Sequence, residues 1–124
     1  MEEKRKEGKV DMGYVYFLKL KSSTGSFKIY VGSTDDLNRR LIQHKTQYHE
    51  GSYTSRYEVI GYSFYFQCNH IVGARQLEYW LKNYSQGMYI CDLLRKNKGI
   101  SKKMQGYLDQ FLKDHHMTAE LVYL

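Results

Sequence analysis

The N-terminal half of the chain alternates short apolar runs with polar segments that interrupt them. Two runs rich in tyrosine and β-branched residues, at residues 14–18 and 27–32, are separated by a polar linker that contains Gly25. Such runs, bounded by Ser and Gly, favour two strands of a hairpin. Residues 33–36, Ser-Thr-Asp-Asp, follow directly and have the form of a helix-capping sequence. The pattern therefore predicts strand, strand and helix in that order.

Further along the chain, the hydrophobic pattern predicts one more strand and three more helices. Residues 58–68 have apolar and aromatic residues throughout, which predicts a third strand nearly buried on both faces. Helical periodicity predicts helices over residues 69–83 and 88–96 and another that begins after Ser101. Residues 118–124 fit either a last short strand or a docked tail. The expected fold class is α/β (α+β), with a small, mostly antiparallel three-stranded sheet flanked by helices.

Composition divides the chain into a tail, a core and an extension within one domain. Residues 1–10 are charged, mixed in sign and without periodicity, so we expect a flexible tail. We assign the core to residues 11–84 and a helical C-terminal extension, packed on that core, to residues 85–124. Residues 45–57 are polar and broken by a glycine, so we expect a loop there. A chain of 124 residues is large enough for a single modest core.

The net charge narrows the choice of partner. A formal charge of +6 favours a polyanion, most simply nucleic acid, although a membrane surface also fits. No apolar run reaches 18 residues, and the charged N-terminus does not look like a signal peptide. Cys68 and Cys91 lack the spacing of a zinc site and indicate free thiols in a reducing environment. The free thiols indicate an intracellular protein. We also expect that no small-molecule cofactor is bound.

The predicted first helix has one face that could serve a site. At about 100° per residue, Leu37 and Leu41 share a stripe, and Arg40 and His44 share another about 60° away. Arg39 points roughly opposite Leu37, towards solvent. Arg40 is therefore the arginine that borders the buried face. The alternative is an exposed helix whose cations are simply solvated.

A carboxylate lies within the apolar arc of the predicted second helix. Glu78 falls between two apolar positions on the helical wheel, where an unpaired charge is costly. A functional carboxylate and an ordinary i,i+4 ion pair with Lys82 both remain open. The arc is formed by Ile71, Ala74, Leu77 and Leu81.

Two tyrosine motifs, an arginine and a histidine in this order resemble the GIY-YIG nuclease family. Tyr14-Val15-Tyr16 stands where the family has Gly-Ile-Tyr, and Tyr30-Val31-Gly32 where it has Tyr-Ile-Gly. Residues 37–44 resemble its first-helix signature, and residues 74–82 its metal-binding helix. The resemblance covers residues 13–84. Ser33 departs from it, because the family's repair enzymes carry a lysine there.

The resemblance implies metal-dependent hydrolysis of DNA. A preference for branched or single-stranded DNA, and a role in DNA repair or recombination, remain open. It implies that Glu78 holds one Mg²⁺ or Mn²⁺ and that Arg40 binds the phosphate. Either Tyr16 or Tyr30 could take the proton of the attacking water, and the resemblance leaves their roles open. We prefer Tyr16 as the base, with His44 relaying or accepting its proton and Tyr30 orienting water or phosphate. The residues expected to bind nucleic acid are Arg39, Lys45, Thr54, Arg56 and Lys82.

Two other functions remain open at this point. The chain could be a nucleic-acid-binding module that is catalytically silent, or a nuclease subunit active only in a larger complex. It could also be an interaction domain that presents exposed tyrosines to a protein partner. Divalent-dependent cleavage separates the enzyme from the silent module, and salt-dependent DNA binding argues against the interaction domain.

Overall fold

A four-stranded antiparallel sheet with the strand order β2-β1-β3-β4 lies at the centre of the fold. A computed structural model describes residues 12–46 and 57–124 of the chain. The expected α/β class is confirmed, whereas the predicted count of three strands was too low by one. The strands are β1 (Gly13–Lys21), β2 (Phe27–Thr34), β3 (Glu58–Cys68) and β4 (Ala119–Tyr123).

The additional strand is β4, for which the sequence left a strand and a docked tail open. Its five residues pair with the second half of β3, where Tyr65 lies opposite Val122. This pairing satisfies backbone groups that β3 would otherwise present at an open edge. A run this short carries little periodic signal, so the pairing decides its conformation.

Four helices complete the described part of the chain, and each of the first three begins at a different residue from the one expected. The second predicted helix begins at Ile71 because His70 caps it, with Nδ1 accepting a hydrogen bond from Gly73 N at 2.8 Å. The third covers Ser85–Arg95 rather than residues 88–96. The helices are α1 (Leu37–Lys45), α2 (Ile71–Asn83), α3 (Ser85–Arg95) and α4 (Lys102–Asp114).

The capping sequence before α1 uses only its last residue as the cap. Asp36 has extended backbone angles, and its side chain accepts a hydrogen bond from Arg39 N at 3.0 Å. Ser33 and Thr34 remain in β2, where they continue the pairing with β1. The strand therefore reaches within two residues of the cap, which fixes where α1 leaves the sheet.

The sheet buries a different core on each face. Alternate residues of β1 point to opposite sides. Phe17 belongs to a large core shared with the second, third and fourth helices, while Leu18 belongs to a smaller core covered by α1. Core residues from α3 and α4 include Ile90 and Leu108. The division between core and extension at residue 84 stays a prediction, although both segments contribute to one hydrophobic cluster.

β3 alternates instead of being nearly buried on both faces as predicted. Phe64, Phe66 and Cys68 are buried on the face of the large core, and the residues between them are half-buried. Irregular pairing with β1 occurs twice in this strand, once beside Gly61, which has φ +148°. Bulges of this kind change which face a side chain occupies. The predicted tail and nearly all of the predicted loop lie outside the described residues.

None of the four described helices combines the length and hydrophobicity that crossing a bilayer requires.

Two glycines provide a matched test of the contact between α2 and α3. A methyl group on Gly87 would lie 2.7 Å from the carbonyl carbon of Trp80, whereas one on Gly106 of α4 would meet no atom within 4 Å. We expect Gly87→Ala to lower the free energy of unfolding by about 1–3 kcal/mol through overpacking. Gly106→Ala should raise it by about 0.5–1 kcal/mol. Urea unfolding measures both, and equal stability of Gly87→Ala and wild type would contradict the close helix contact.

Candidate active site

The hydroxyl of Tyr16 lies between a histidine and an arginine that α1 supplies. Tyr16 projects from β1 towards α1 and is only 1% exposed. Its hydroxyl oxygen lies 2.9 Å from His44 Nε2 and accepts a hydrogen bond from Arg40 Nε at 3.2 Å. Arg40 Nη1 in turn donates to Gln43 Oε1 at 3.0 Å. Three of the five residues predicted for the catalytic site therefore form one hydrogen-bonded group.

Gly32 provides the space that this tyrosine occupies. Gly32 lies directly opposite Tyr16 in the pairing of β1 with β2. A methyl group on Gly32 would lie 2.6 Å from Tyr16 Cζ and closer still to the hydroxyl oxygen. Side chains that face each other on neighbouring strands normally fill such a space together. Gly32 has only a hydrogen atom as its side chain, so the ring of Tyr16 can fill it. Gly32, which ends the second tyrosine motif, thus leaves the space in which Tyr16, which ends the first motif, is positioned.

Two more tyrosine rings surround the group. The ring centroid of Tyr30 lies 5.7 Å from that of His44 and 6.4 Å from that of Tyr16. The ring of Tyr62 lies 5.2 Å from that of Tyr16, and its hydroxyl donates to the Leu37 carbonyl at 2.8 Å. Tyr62 therefore ties the start of α1 to the sheet. The sequence analysis missed it because only the irregular pairing of β3 turns it to this face.

Glu78 connects α2 to the edge of β2. Its Oε2 accepts a hydrogen bond from Lys82 Nζ at 2.7 Å, and its Oε1 accepts one from the Ser33 hydroxyl. The i,i+4 pair considered from the sequence is therefore present, but the carboxylate also contacts the strand that carries Tyr30. Lys82 Nζ lies 5.5 Å from the ring centroid of Tyr30. Ser33 had been noted only as a departure from the family.

Burial controls the acidity of the central phenol. Desolvation raises the pKa of Tyr16 to about 12, although the hydrogen bond and charge of Arg40 act in the opposite direction. Desolvation likewise raises the pKa of Tyr62 well above its usual range. Both phenols are therefore neutral near pH 7, and proton removal from Tyr16 requires a partner that receives the proton.

The structure describes three of the five residues that were predicted to bind nucleic acid. Arg39 is exposed and forms an ion pair with Asp35. Lys45 is exposed in the last turn of α1, and Lys82 is the partner of Glu78. Thr54 and Arg56 lie outside the described residues. Their roles stay predictions.

Glu78 is the residue of this group that could hold a divalent ion. Within residues 12–46 and 57–124, no group of three or more His, Cys, Asp or Glu side chains forms a cage for a metal. Mg²⁺ commonly needs only one or two carboxylates, because water and substrate phosphate complete its coordination. A single carboxylate at the site edge fits that mode of binding, provided that Lys82 gives up its contact.

The family model described as the GIY-YIG catalytic domain matches residues 12–90, which is more than half of the chain. The chain belongs to the GIY-YIG nuclease family. The resemblance drawn from the two tyrosine motifs is thus confirmed, and the match extends into α3. The family is one of nuclease-type endonucleases that act on DNA. Searches of curated proteins and of solved structures returned no match.

The raised pKa values of Tyr16 and Tyr62 predict a loss of stability in alkali. An unfolded chain releases a phenolic proton near pH 10, whereas folded Tyr16 keeps its proton to about pH 12. The folded state therefore binds more protons in this interval, and the free energy of unfolding falls as the pH rises. One such group contributes at most about 1.4 kcal/mol per pH unit.

Tyr16→Phe and Tyr62→Phe should each make this alkaline decrease shallower. Urea unfolding at pH 9, 10 and 11 measures the slope, and Tyr79→Phe, with its exposed ring, controls for the loss of a tyrosine. Profiles of the Tyr16 and Tyr62 variants that run parallel to wild type would contradict the assignment.

Proposed function

We propose that this protein is a metal-dependent endonuclease that hydrolyses DNA phosphodiester bonds. The observation that carries the proposal is the Tyr16 hydroxyl, held between His44 and Arg40 and next to Tyr30. Phosphodiester hydrolysis needs an acceptor for the proton of the attacking water and a cation for the developing phosphate charge. This group contains one candidate for each task.

Proton transfer is proposed to pass through Tyr16 to His44. When the imidazole carries its proton on Nδ1, Nε2 accepts the Tyr16 hydroxyl proton across the 2.9 Å hydrogen bond. The phenol oxygen can then take a proton from water as it gives up its own. A phenolate never accumulates in this relay, so a pKa near 12 does not prevent the reaction. Tyr30 is proposed to orient the water or the phosphate.

Arg40 is proposed to bind the scissile phosphate. Its guanidinium is half-buried and is oriented by bonds from Nε to Tyr16 and from Nη1 to Gln43. The remaining N–H donors of the planar group suit a phosphate oxygen. Because Tyr16 and the phosphate would share one guanidinium, substrate binding and the proton acceptor are aligned by the same side chain.

Glu78 is proposed to hold Mg²⁺ or Mn²⁺, with Ser33 fixing the carboxylate and Lys82 moving aside. A bound divalent ion supplies Lewis-acid stabilisation of charge on the phosphate. The Ser33 hydroxyl donates to one carboxylate oxygen and thereby limits its rotation. Lys82, once released from Glu78, becomes available to a DNA phosphate. Arg39 and Lys45, which are exposed, are also proposed to contact DNA phosphates. Binding through phosphates should depend strongly on salt and weakly on sequence.

A catalytically silent DNA-binding module, or a subunit active only in a complex, is the second candidate. The ion pair between Lys82 and Glu78 favours it, because the ammonium group occupies the position that a metal would need. A partner protein that displaced Lys82 would then be required for activity.

Cleavage of labelled linear, flap and four-way-junction DNA tests the main proposal. We expect cutting with Mg²⁺ or Mn²⁺ and none with EDTA. Glu78→Gln and Tyr16→Phe should each lower the rate by about 100-fold or more, the usual effect of removing a catalytic group. Glu120→Gln, on the exposed side of β4, changes the same functional group outside the site and should cut like wild type.

Wild-type protein that binds these DNAs but cuts none of them with either metal would favour the silent module. Cutting that survives both Glu78→Gln and Tyr16→Phe would show that the hydrolytic site lies elsewhere.

Metal binding at Glu78 has a direct test that does not depend on cleavage. Lys82→Met removes the competing ammonium group, and a near-surface ion pair of this kind contributes up to about 1 kcal/mol. We therefore expect Mn²⁺ to bind about fivefold more tightly to Lys82→Met, measured by electron paramagnetic resonance of free Mn²⁺. Lys96→Met, which breaks the comparable pair with Asp92, is the control. Equal effects of the two substitutions would argue against a metal site at Glu78.

A further inference from the structure

A second concave surface lies on the face of the sheet opposite Tyr16. It has a volume of about 790 Å³ and lies between the hairpin end of the sheet and the C-terminal end of α3. β1 and β2 contribute Lys19 and Phe27, and β4 contributes Tyr123. The end of α3 and the turn after it contribute Arg95 and Asn97. We call this surface the hairpin groove.

The hairpin groove exposes aromatic rings that the helical layer leaves uncovered. Phe27 is 58% exposed and Tyr123 is 62% exposed, although both lie on the face that carries the large core. The ring of Phe64, at the floor of the groove, lies 5.6 Å from that of Tyr123. The helices cover the opposite end of this face, so the aromatic residues here form an accessible surface.

Cations from two separate elements line the groove. They are Lys19 of β1 and Arg95 of α3, and no Asp or Glu side chain occurs among the described residues that line it. Lys28 also borders the groove, but its ammonium group lies over the ring of Tyr57, which packs on the other face of the sheet. Lys19 Nζ lies 4.4 Å from the ring centroid of Phe27, so a cation and an aromatic ring are presented together. The concentration of one sign of charge in a concavity favours an anionic ligand.

The turn after α3 is fixed by its own backbone. Asn97 has φ +58°, with its N–H bonded to the Leu94 carbonyl, and Lys98 N donates to the Leu93 carbonyl. This arrangement satisfies the last helical carbonyls that would otherwise repel an anion. Residues 95–98 are basic apart from Asn97, and the turn places Arg95 at the groove.

We propose that the hairpin groove binds an unpaired segment of DNA, with bases against the exposed aromatic rings and phosphates at the cations. Single strands are bound by surfaces that combine aromatic platforms with a basic groove. Base pairs in a duplex are already stacked, so a duplex gains less from exposed rings. A groove between α2 and α4 contains Asp114 as well as Arg75 and is less suited to a polyanion.

This inference goes beyond the proposed hydrolysis of DNA. It rests on the proposed function only in taking DNA, and not another polyanion, as the ligand. β2 joins the two surfaces, with Phe27 in the groove and Tyr30 at the candidate active site on the other face. An arm bound in the groove would therefore anchor a substrate from the side of the sheet that does not cut. Substrates with an unpaired arm should bind more tightly than a blunt duplex.

Fluorescence anisotropy of a labelled 15-nucleotide oligothymidine in EDTA tests the groove without cleavage. Lys19→Glu combined with Arg95→Glu should weaken binding at least tenfold. The slope of log affinity against log salt should become shallower by about 1.4, since each phosphate contact to a single strand contributes about 0.7. Lys102→Glu combined with Lys103→Glu, exposed at the start of α4, changes the net charge equally and should bind like wild type.

Phe27→Ala separates stacking from charge. Loss of one stacked base should weaken oligothymidine binding about fivefold or more and leave the salt slope unchanged. The same substitution should not alter the affinity for polyphosphate, which has no bases. Circular dichroism and thermal unfolding establish that each variant is folded, which matters most for Lys19, because Lys19 is half-buried whereas Phe27 and Arg95 are exposed.

Equal binding of oligothymidine by wild type and the Lys19/Arg95 variant would overturn the inference, even if the protein cuts DNA. Loss of binding in that variant would establish the groove, even if no cutting is found. Tenfold tighter binding of oligouridine, or equal effects of Phe27→Ala on oligothymidine and polyphosphate, would also overturn it.

Discussion

The candidate site depends on the close approach of the Tyr16 ring to the backbone of β2 at Gly32. Only a residue without a side chain leaves room for the phenol at this position in the antiparallel pair. The ring can then extend along the sheet surface to His44 and Arg40, which α1 presents one turn apart. The register of β1 with β2, the glycine at position 32 and the position of α1 together fix the location of the Tyr16 hydroxyl.

Glu78 places the second part of the site on a different element. α2 belongs to the helical layer on the other face of the sheet, yet Glu78 reaches Ser33 at the edge strand β2. A half-buried carboxylate needs partners, and Lys82 and Ser33 provide them. The same requirement supports the proposal that a divalent ion takes the place of the ammonium group there. The edge of β2 is thus where residues from both faces of the sheet meet.

The fold class, the family and the five residues proposed for catalysis could all be inferred from the sequence alone. These conclusions rest on periodicity and on motifs, both of which are local in the chain. Alternating and helical patterns reflect which side of a strand or helix is buried, so β1, β2 and α1 could be located closely. The residues of the motif could be named because their order is characteristic. Whether they act as proposed stays a prediction.

Features that depend on pairing between distant segments emerge only from the folded chain. The fourth strand exists because β3 offers an edge, and Tyr62 faces Tyr16 because irregular pairing shifts the register of β3. Ser33 and Glu78 are 45 positions apart, and Lys19 and Arg95, which line the same groove, are even farther apart in the chain. No local pattern records such contacts, since they follow from how whole elements pack. For this reason the second groove could not be predicted from the sequence.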